Sequence, residues 1–285
     1  MPEGGRIGIM QGRLVPPEPG RFQSFPVTRW RDEFGNAAAA GIETIEWIYD
    51  AYGAAENPLA SDAGIAEMRS LGSRYGIAVI SVCADYFMDR PIVRAGDSER
   101  ADLGVRLAWL IERCRQAAIE RIVVPFVDAS RLQSDADEDR AVEFLRDALR
   151  GAERAGVELH LETSLGPAEF ARLLGRLPHP MLFVNYDAGN SASLGYDPRA
   201  EFAAYGRRIG SVHVKDRVLG GGTVALGTGD ADLEAVFEGL AAFGYGRDYV
   251  LQAARGADGA EVELATHNAA FVRSARERDA TAAPR

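Results

Sequence analysis

The chain has 285 residues, 47% of them hydrophobic, which is enough for a sizeable core and suits one large α/β domain. Its formal net charge of -10 argues against a nucleic-acid partner, because phosphate binding calls for a basic face. No apolar run approaches the roughly 18 residues of a membrane span, and two cysteines, Cys83 and Cys114, suit a reducing compartment.

Strand-like and helix-like runs alternate along the whole chain. The opening MPEGGRIGIMQG lacks the charged-then-apolar pattern of an export signal, so a cytoplasmic location is expected. Ile7–Met10 is the first apolar run and leads into an irregular VPPEPGRFQSFP. A helix is predicted over Trp30–Ala40, a strand over Ile42–Ile48, a helix over Ala63–Tyr75 and a strand over Ile77–Ala84. Helix Ser98–Ala118, strand Ile122–Val127, helix Glu138–Ala155 and strand Val157–Leu161 follow. Next come helix Pro167–Leu177, strand Met181–Tyr186, helix Pro198–Arg207 and strand Gly210–Val214. Helix Leu233–Phe243, strand Tyr249–Leu251 and helix Glu261–Arg278 complete the series.

Most strand-like runs are continuous and rich in Val and Ile, as parallel strands buried on both faces require. Gly41, Gly76, Gly156 and Gly244 stand where a helix hands over to a strand. Eight strands alternating with eight helices imply an α/β fold, a (β/α)8 TIM barrel forming a single domain over residues 1–278. A disordered tail is expected over residues 279–285. The rival, a doubly wound open sheet, would want a G-x-G-x-x-G turn after its first strand, and none is present.

Four polar residues close or interrupt the last four apolar runs: Glu162, Asp187, His213 and Gln252. Their spacing, about one strand plus one helix each, brings them to one end of a barrel. Two carboxylates and an imidazole suit Mn2+, Mg2+, Co2+ or Zn2+, and Gln252 offers a neutral amide oxygen as a fourth ligand. Lys215 is the sole lysine beside 31 arginines, and alternation puts it on the same side of its strand as His213. Glu46 is expected at the mouth, binding a substrate hydroxyl or pairing with a cation. His160 lies two residues before Glu162, either near the substrate or as a hydrogen-bonded core residue. Gln11, Arg13, Arg217 and Arg255 follow strands and are candidates for substrate contact. The run GGGTVALGTGD offers either a phosphate cradle of backbone N–H groups or a hairpin leading to Asp230 or Asp232 as a helix cap.

Several segments carry a family resemblance: IGIMQGRL with QSFP, GIETIEWIYD, HLETSL, VNYDAGN, SVHVKDR and LGTGDADLEAVFEGLAAFGYGRDYVLQAAR. Through them nearly the whole chain resembles the xylose-isomerase-like TIM-barrel superfamily of sugar isomerases, epimerases and endonuclease IV relatives. The resemblance implies a Glu–Asp–His–Glu metal set falling on Glu162, Asp187, His213 and Gln252. In the epimerase branch the first and last carboxylates also exchange protons with the substrate. Glu162 keeps that role, whereas Gln252 departs from the pattern, because an amide does not titrate.

The expected activity is therefore a metal-dependent isomerase or epimerase of a small sugar or sugar phosphate, with Glu162 as base and Lys215 as a second catalytic group. A dehydratase or lyase on a polyol uses the same proton abstraction. A non-catalytic sugar-binding barrel, a Schiff-base enzyme built on Lys215 and a DNA-repair nuclease are the other classes weighed. The expected partner is a small carbohydrate, with no membrane, and a homodimer or homotetramer is compatible with such a chain.

Overall fold

Eight short parallel strands close on themselves, each joined to the next by a crossover that carries at least one helix, in the computed structural model, which describes residues 5–282. In chain order the strands are β1 (Ile7–Met10), β2 (Thr44–Ile48), β3 (Ala78–Cys83), β4 (Arg121–Phe126), β5 (Glu158–Thr163), β6 (Leu182–Asp187), β7 (Ile209–Val214), β8 (Asp216–Arg217), β9 (Thr223–Val224) and β10 (Tyr249–Leu251). The barrel runs β1-β10-β7-β6-β5-β4-β3-β2, and β8 and β9 form a separate hairpin. The helices are α1 (Asp32–Ala39), α2 (Asp62–Tyr75), α3 (Tyr86–Asp89), α4 (Asp97–Ala117), α5 (Asp135–Ala155), α6 (Pro167–Gly175), α7 (Ala188–Leu194), α8 (Pro198–Tyr205), α9 (Leu233–Ala242) and α10 (Glu261–Ala282). The barrel expected from the alternating runs is thus observed, as one domain.

Two short helices, α3 and α7, were not anticipated. Each follows a barrel strand almost directly, where seven residues or fewer leave no periodicity to read. Asp187 starts α7, its Oδ1 accepting the Asn190 backbone N–H at 2.8 Å. The last helix continues to Ala282, where the sequence suggested a disordered tail from residue 279; residues 283–285 lie outside the described ones.

Alternation along the strands sorts side chains between the barrel interior and the helical layer. Trp47 of β2 packs outward against Trp30 and Phe34, with ring centroids 5.7 and 6.0 Å apart. Its neighbour Glu46 turns inward. The interior is unusually polar, since Glu46, Ser81, His160, Asn185, Ser211 and His213 are all buried there. Each such group needs a partner, because an unpaired buried polar group costs about 1–3 kcal/mol.

At the N-terminal end of the strands the barrel is closed by charge. Arg121 donates to Asp248 Oδ2 at 2.9 Å, and Arg6 donates to Asp248 Oδ1 at 2.8 Å. The side chains of Arg121 and Asp248 are only 3% and 6% exposed. Beside them Arg247 donates to both oxygens of Glu158. The opposite end carries α3, α7 and the β8–β9 hairpin, the longer irregular connections expected on the functional face.

Candidate metal centre and cavity

Register brings the first pair together: Asp187 on β6 is the direct strand partner of His213 on β7. Glu162 projects from β5 beside them. One ligand atom from each of Glu162, Asp187 and His213 lies within 4.8 Å of the others, the one such group among the described residues. His213 Nδ1 is 3.4 Å from Glu162 Oε2 and 3.7 Å from Asp187 Oδ2.

These groups are oriented from behind. Glu46, fully buried on β2, sits 2.6 Å from His213 Nε2. A carboxylate there holds the proton on Nε2 and leaves Nδ1 as the nitrogen that faces Glu162 and Asp187. Burial alone would lower the imidazole pKa, but the Glu46 charge and the bonds to Asp187, Glu162 and Glu46 raise it well above the ordinary value. Asp187 is held to about 2: burial pushes it up, while the Lys215 charge, His213 and the Asn190 N–H outweigh that. The three carboxylates of Glu46, Glu162 and Asp187 thus face the imidazole and the Lys215 ammonium. Glu162 receives Asn190 Nδ2 on Oε1 at 2.6 Å and Asn185 Nδ2 on Oε2 at 2.9 Å. Asn185 accepts in turn from Ser211 Oγ, which touches His160 Nδ1 at 2.7 Å. His160 Nε2 meets Glu158 Oε2 at 2.9 Å. A hydrogen-bonded chain thus runs from the barrel floor to the carboxylate at its mouth.

Lys215 places its ammonium 3.3 Å from Asp187 Oδ2, 3.3 Å from Asn190 Oδ1 and 3.2 Å from Gln252 Oε1. Room for it depends on Gly189, where a Cβ would lie 2.6 Å from Lys215 Cγ. Gln252 is fixed on both sides. Lys215 only donates, so the amide oxygen faces it, and Gln252 Nε2 then donates to Gln23 Oε1 at 3.1 Å. Gln23 is fixed likewise: Arg13 donates to Gln23 Oε1 at 3.0 Å, so Gln23 Nε2 points to Asp85 Oδ2 at 2.7 Å. The amide at 252 matches the donors and acceptors around it.

A cavity of about 370 Å3 opens over these groups, lined by Gln23, Asp85, Glu162, Lys215, Arg217 and Gln252 among others. Several candidate substrate contacts lie outside the cavity, Glu46 and His160 paired with buried side chains and Gln11, Arg13 and Arg255 bonded to the backbone of loops and strand ends. Glu46 does not reach the mouth, because it lies under His213. His160 is fully buried below, its pKa lowered to about 4, chiefly by burial. Gln11 is buried and accepts the Ile48 N–H at 2.9 Å, joining the ends of β1 and β2. Arg13 donates to Ala253 O at 3.2 Å and touches the cavity only through Gln23. Arg255 donates to Phe22 O and Val15 O, tying down the loop after β1, and lines a separate 210 Å3 cleft. Arg217 does line the cavity, but its donors go to Gly221 O and Asn190 Oδ1. In the glycine-rich run the N–H groups of Gly227, Gly229 and Ala231 all serve the Asp216 carboxylate, so they form no phosphate cradle; Asp232 caps α9.

The sequence reading passed over Gln23, Asp85 and Asn190. Gln23 lay inside the quoted QSFP and Asn190 three residues past Asp187, the spacing of a helix cap. Asp85 stands two residues beyond Cys83, on the inward side of a run that had seemed purely apolar.

The family model for the xylose isomerase-like TIM barrel matches residues 34–275. Among curated proteins none matches. Several solved structures match over nearly their whole length. A xylose isomerase domain protein from Planctomyces limnophilus is 17% identical, with 98% of this chain and 99% of that one covered and a TM-score of 0.76. A D-allulose 3-epimerase from Methylomonas sp., in complex with D-allulose, is 15% identical, with 96% and 98% covered and a TM-score of 0.74. A xylose isomerase-like TIM barrel protein from Mycobacterium smegmatis, in complex with magnesium, is 16% identical, with 96% and 97% covered and a TM-score of 0.70. No helix among the described residues is long and apolar enough to cross a membrane.

Proposed function

Because the chain belongs to the xylose isomerase-like TIM-barrel family, we propose that it is a divalent-metal-dependent isomerase or epimerase of a small sugar or sugar phosphate. The observation that carries this reading is the approach of Glu162, Asp187 and His213 to within 4.8 Å at the mouth of the barrel. Their donor set fits Mn2+, Mg2+, Co2+ or Zn2+, and Glu46 aims the free imidazole nitrogen at the two carboxylates. A divalent ion held by these residues would polarise a substrate carbonyl and acidify the adjacent C–H. The solved barrels holding D-allulose and magnesium support the same reading.

Glu162 is the base. The C–H electron pair becomes the C=C bond of the enolised sugar while the proton moves to a Glu162 oxygen, and Glu162 returns it to a substrate carbon. The amides of Asn185 and Asn190 hold both oxygens of Glu162 in place for this transfer. Lys215 sits on the other side of Asp187, where its ammonium stabilises a developing oxyanion. Gln252 carries no proton. It supplies an oxygen either to Lys215 or to the ion. That amide is also the one observation favouring a second reading, a barrel that binds sugar without transforming it; a dehydratase or lyase on a polyol shares the first step.

Two measurements separate these readings. Calorimetric titration with Mn2+ is expected to show one site, and incubation with D-allulose in D2O is expected to place deuterium on a carbon beside the carbonyl. Sugar binding without exchange would favour the non-catalytic barrel; absence of both would remove the enzymatic reading. Glu46→Gln is expected to weaken Mn2+ binding by about 10–100-fold, because the imidazole loses its orienting anion. Unchanged affinity in that variant would mean that Glu46 does not hold the ligand.

A further inference from the structure

An enolising site needs a proton at two places, the carbon and the oxygen, and only Glu162 has so far been given one to carry. We propose that Asp85 is the second proton-carrying catalytic group of the cavity, acting as general acid toward the substrate oxygen that becomes the enol; this rests on the enolising reading above. The support is geometric. Asp85 follows β3 and turns into the same 370 Å3 cavity as Glu162, Lys215 and Gln252. It is 5% exposed, and both of its hydrogen-bond donors are uncharged side chains. Its Oδ2 accepts from Gln23 Nε2 at 2.7 Å and its Oδ1 from Cys83 Sγ at 3.0 Å, so both oxygens are positioned by neutral donors. Through Gln23 it is joined to Gln252, the position where the amide leaves the site one carboxyl short.

The environment tunes it for this task. Burial, against the bonds from Gln23 and Cys83 and with the negative charges of Glu162 and Asp50, raises the carboxyl to about 6. The titratable and charged groups around it are Cys83 at the end of β3, Glu162 from β5, Asp50 from the loop after β2 and Arg13 behind Gln23, and Asp128, Lys215 and Arg217 line the same cavity. Cys83 is itself raised by burial and stays a thiol. An acid poised near neutrality is what proton transfer at working pH favours.

The step balances without a further reagent. Glu162 takes the proton from carbon, the C–H pair forms the C=C bond, and the carbonyl π pair takes up the Asp85 proton as an O–H bond. On collapse, Asp85 takes a proton back from whichever oxygen becomes the carbonyl, and Glu162 gives its proton to carbon.

The test compares wild type, Asp85→Asn and Asp85→Glu with D-allulose in D2O, following deuterium incorporation, substrate dissociation constant and pH profile. Asp85→Asn is expected to lose about a hundredfold or more in exchange rate with the sugar affinity kept within about threefold. Wild type should lose rate as pH rises past about 6, because an acid works only while protonated, and that limb should vanish in Asp85→Asn. Asp85→Glu should recover part of the rate. An Asp85→Asn protein that is folded by circular dichroism and exchanges at the wild-type rate overturns the role of Asp85 alone. Equal losses in rate and affinity, or a fold lost in Asn but kept with full activity in Glu, assign Asp85 a structural part and overturn it too. A wild type that binds Mn2+ and sugar but never exchanges removes the enolising reading itself, and this proposal with it.

Discussion

Replacing Glu162 with glutamine is expected to lower solvent-deuterium exchange into the sugar by about 10²–10⁴-fold, the usual contribution of a positioned general base. The carboxylate has two duties that the variant removes together. On the proposed reading it accepts the carbon proton, and it would give a bound metal one of its two anionic carboxylates, so Mn2+ affinity should fall in the same protein. The fold should survive. Glu162 is held by two asparagine amides at 2.6 and 2.9 Å and by no buried cation except through His213. Glutamine keeps an acceptor for one of those amides and sets a donor against the other, a loss of about 1–3 kcal/mol. Glu162→Asp separates the duties: a carboxylate one methylene shorter keeps the charge but withdraws the base. Exchange that persists in Glu162→Gln would move the proton chemistry to another residue.

At the far end of the barrel the largest effect is on stability. Asp248→Ala should destabilise the fold by about 3–5 kcal/mol, because it strands a buried arginine. Arg121 is 3% exposed at the side chain and has Asp248 as its salt-bridge partner at 2.9 Å. Arg6, which shares Asp248, is partly solvated and can turn to water. Asp248 lies before β10 and Arg121 opens β4, so the pair joins distant staves of the barrel floor. Denaturant unfolding should show the midpoint falling with little change in slope, and the folded fraction should keep its sugar chemistry. A loss under about 1 kcal/mol would mean that Arg121 finds water or a second anion.

The barrel was legible because its causes are local. Runs such as RIVVPF and the handover glycines act within a few residues of themselves, and a repeated strand-plus-helix period leaves few ways to close. The clustering of Glu162, Asp187 and His213 was legible for the same reason: each ends or nearly ends its own strand. What stayed hidden depends on closure. Glu46 and His213 are 167 residues apart, and Gln23 and Asp85 are 62 apart, so nothing local announces either pair. The partners of Arg13, Arg255 and Gln11 were hidden for a related reason. Irregular loops carry backbone carbonyls and N–H groups that must find partners, and side chains that look available for a ligand were spent on them. Arg217 shows the intermediate case, inside the cavity yet engaged by Gly221 and Asn190.

The interlocked amides of Gln23 and Gln252 bear on how this chain can evolve. With Arg13 and Lys215 pinning the two oxygens, a lone mutation to glutamate at 252 would set a carboxylate against Gln23 Oε1, and a lone mutation at 23 would turn an acceptor toward Asp85. Each such step alone is unfavourable, and glutamate at both would oppose two carboxylates, so a carboxylate at 252 calls for a residue at 23 that donates to it. The amide at 252 is held as by a ratchet, so lineages descending from this chain should keep both glutamines or replace both.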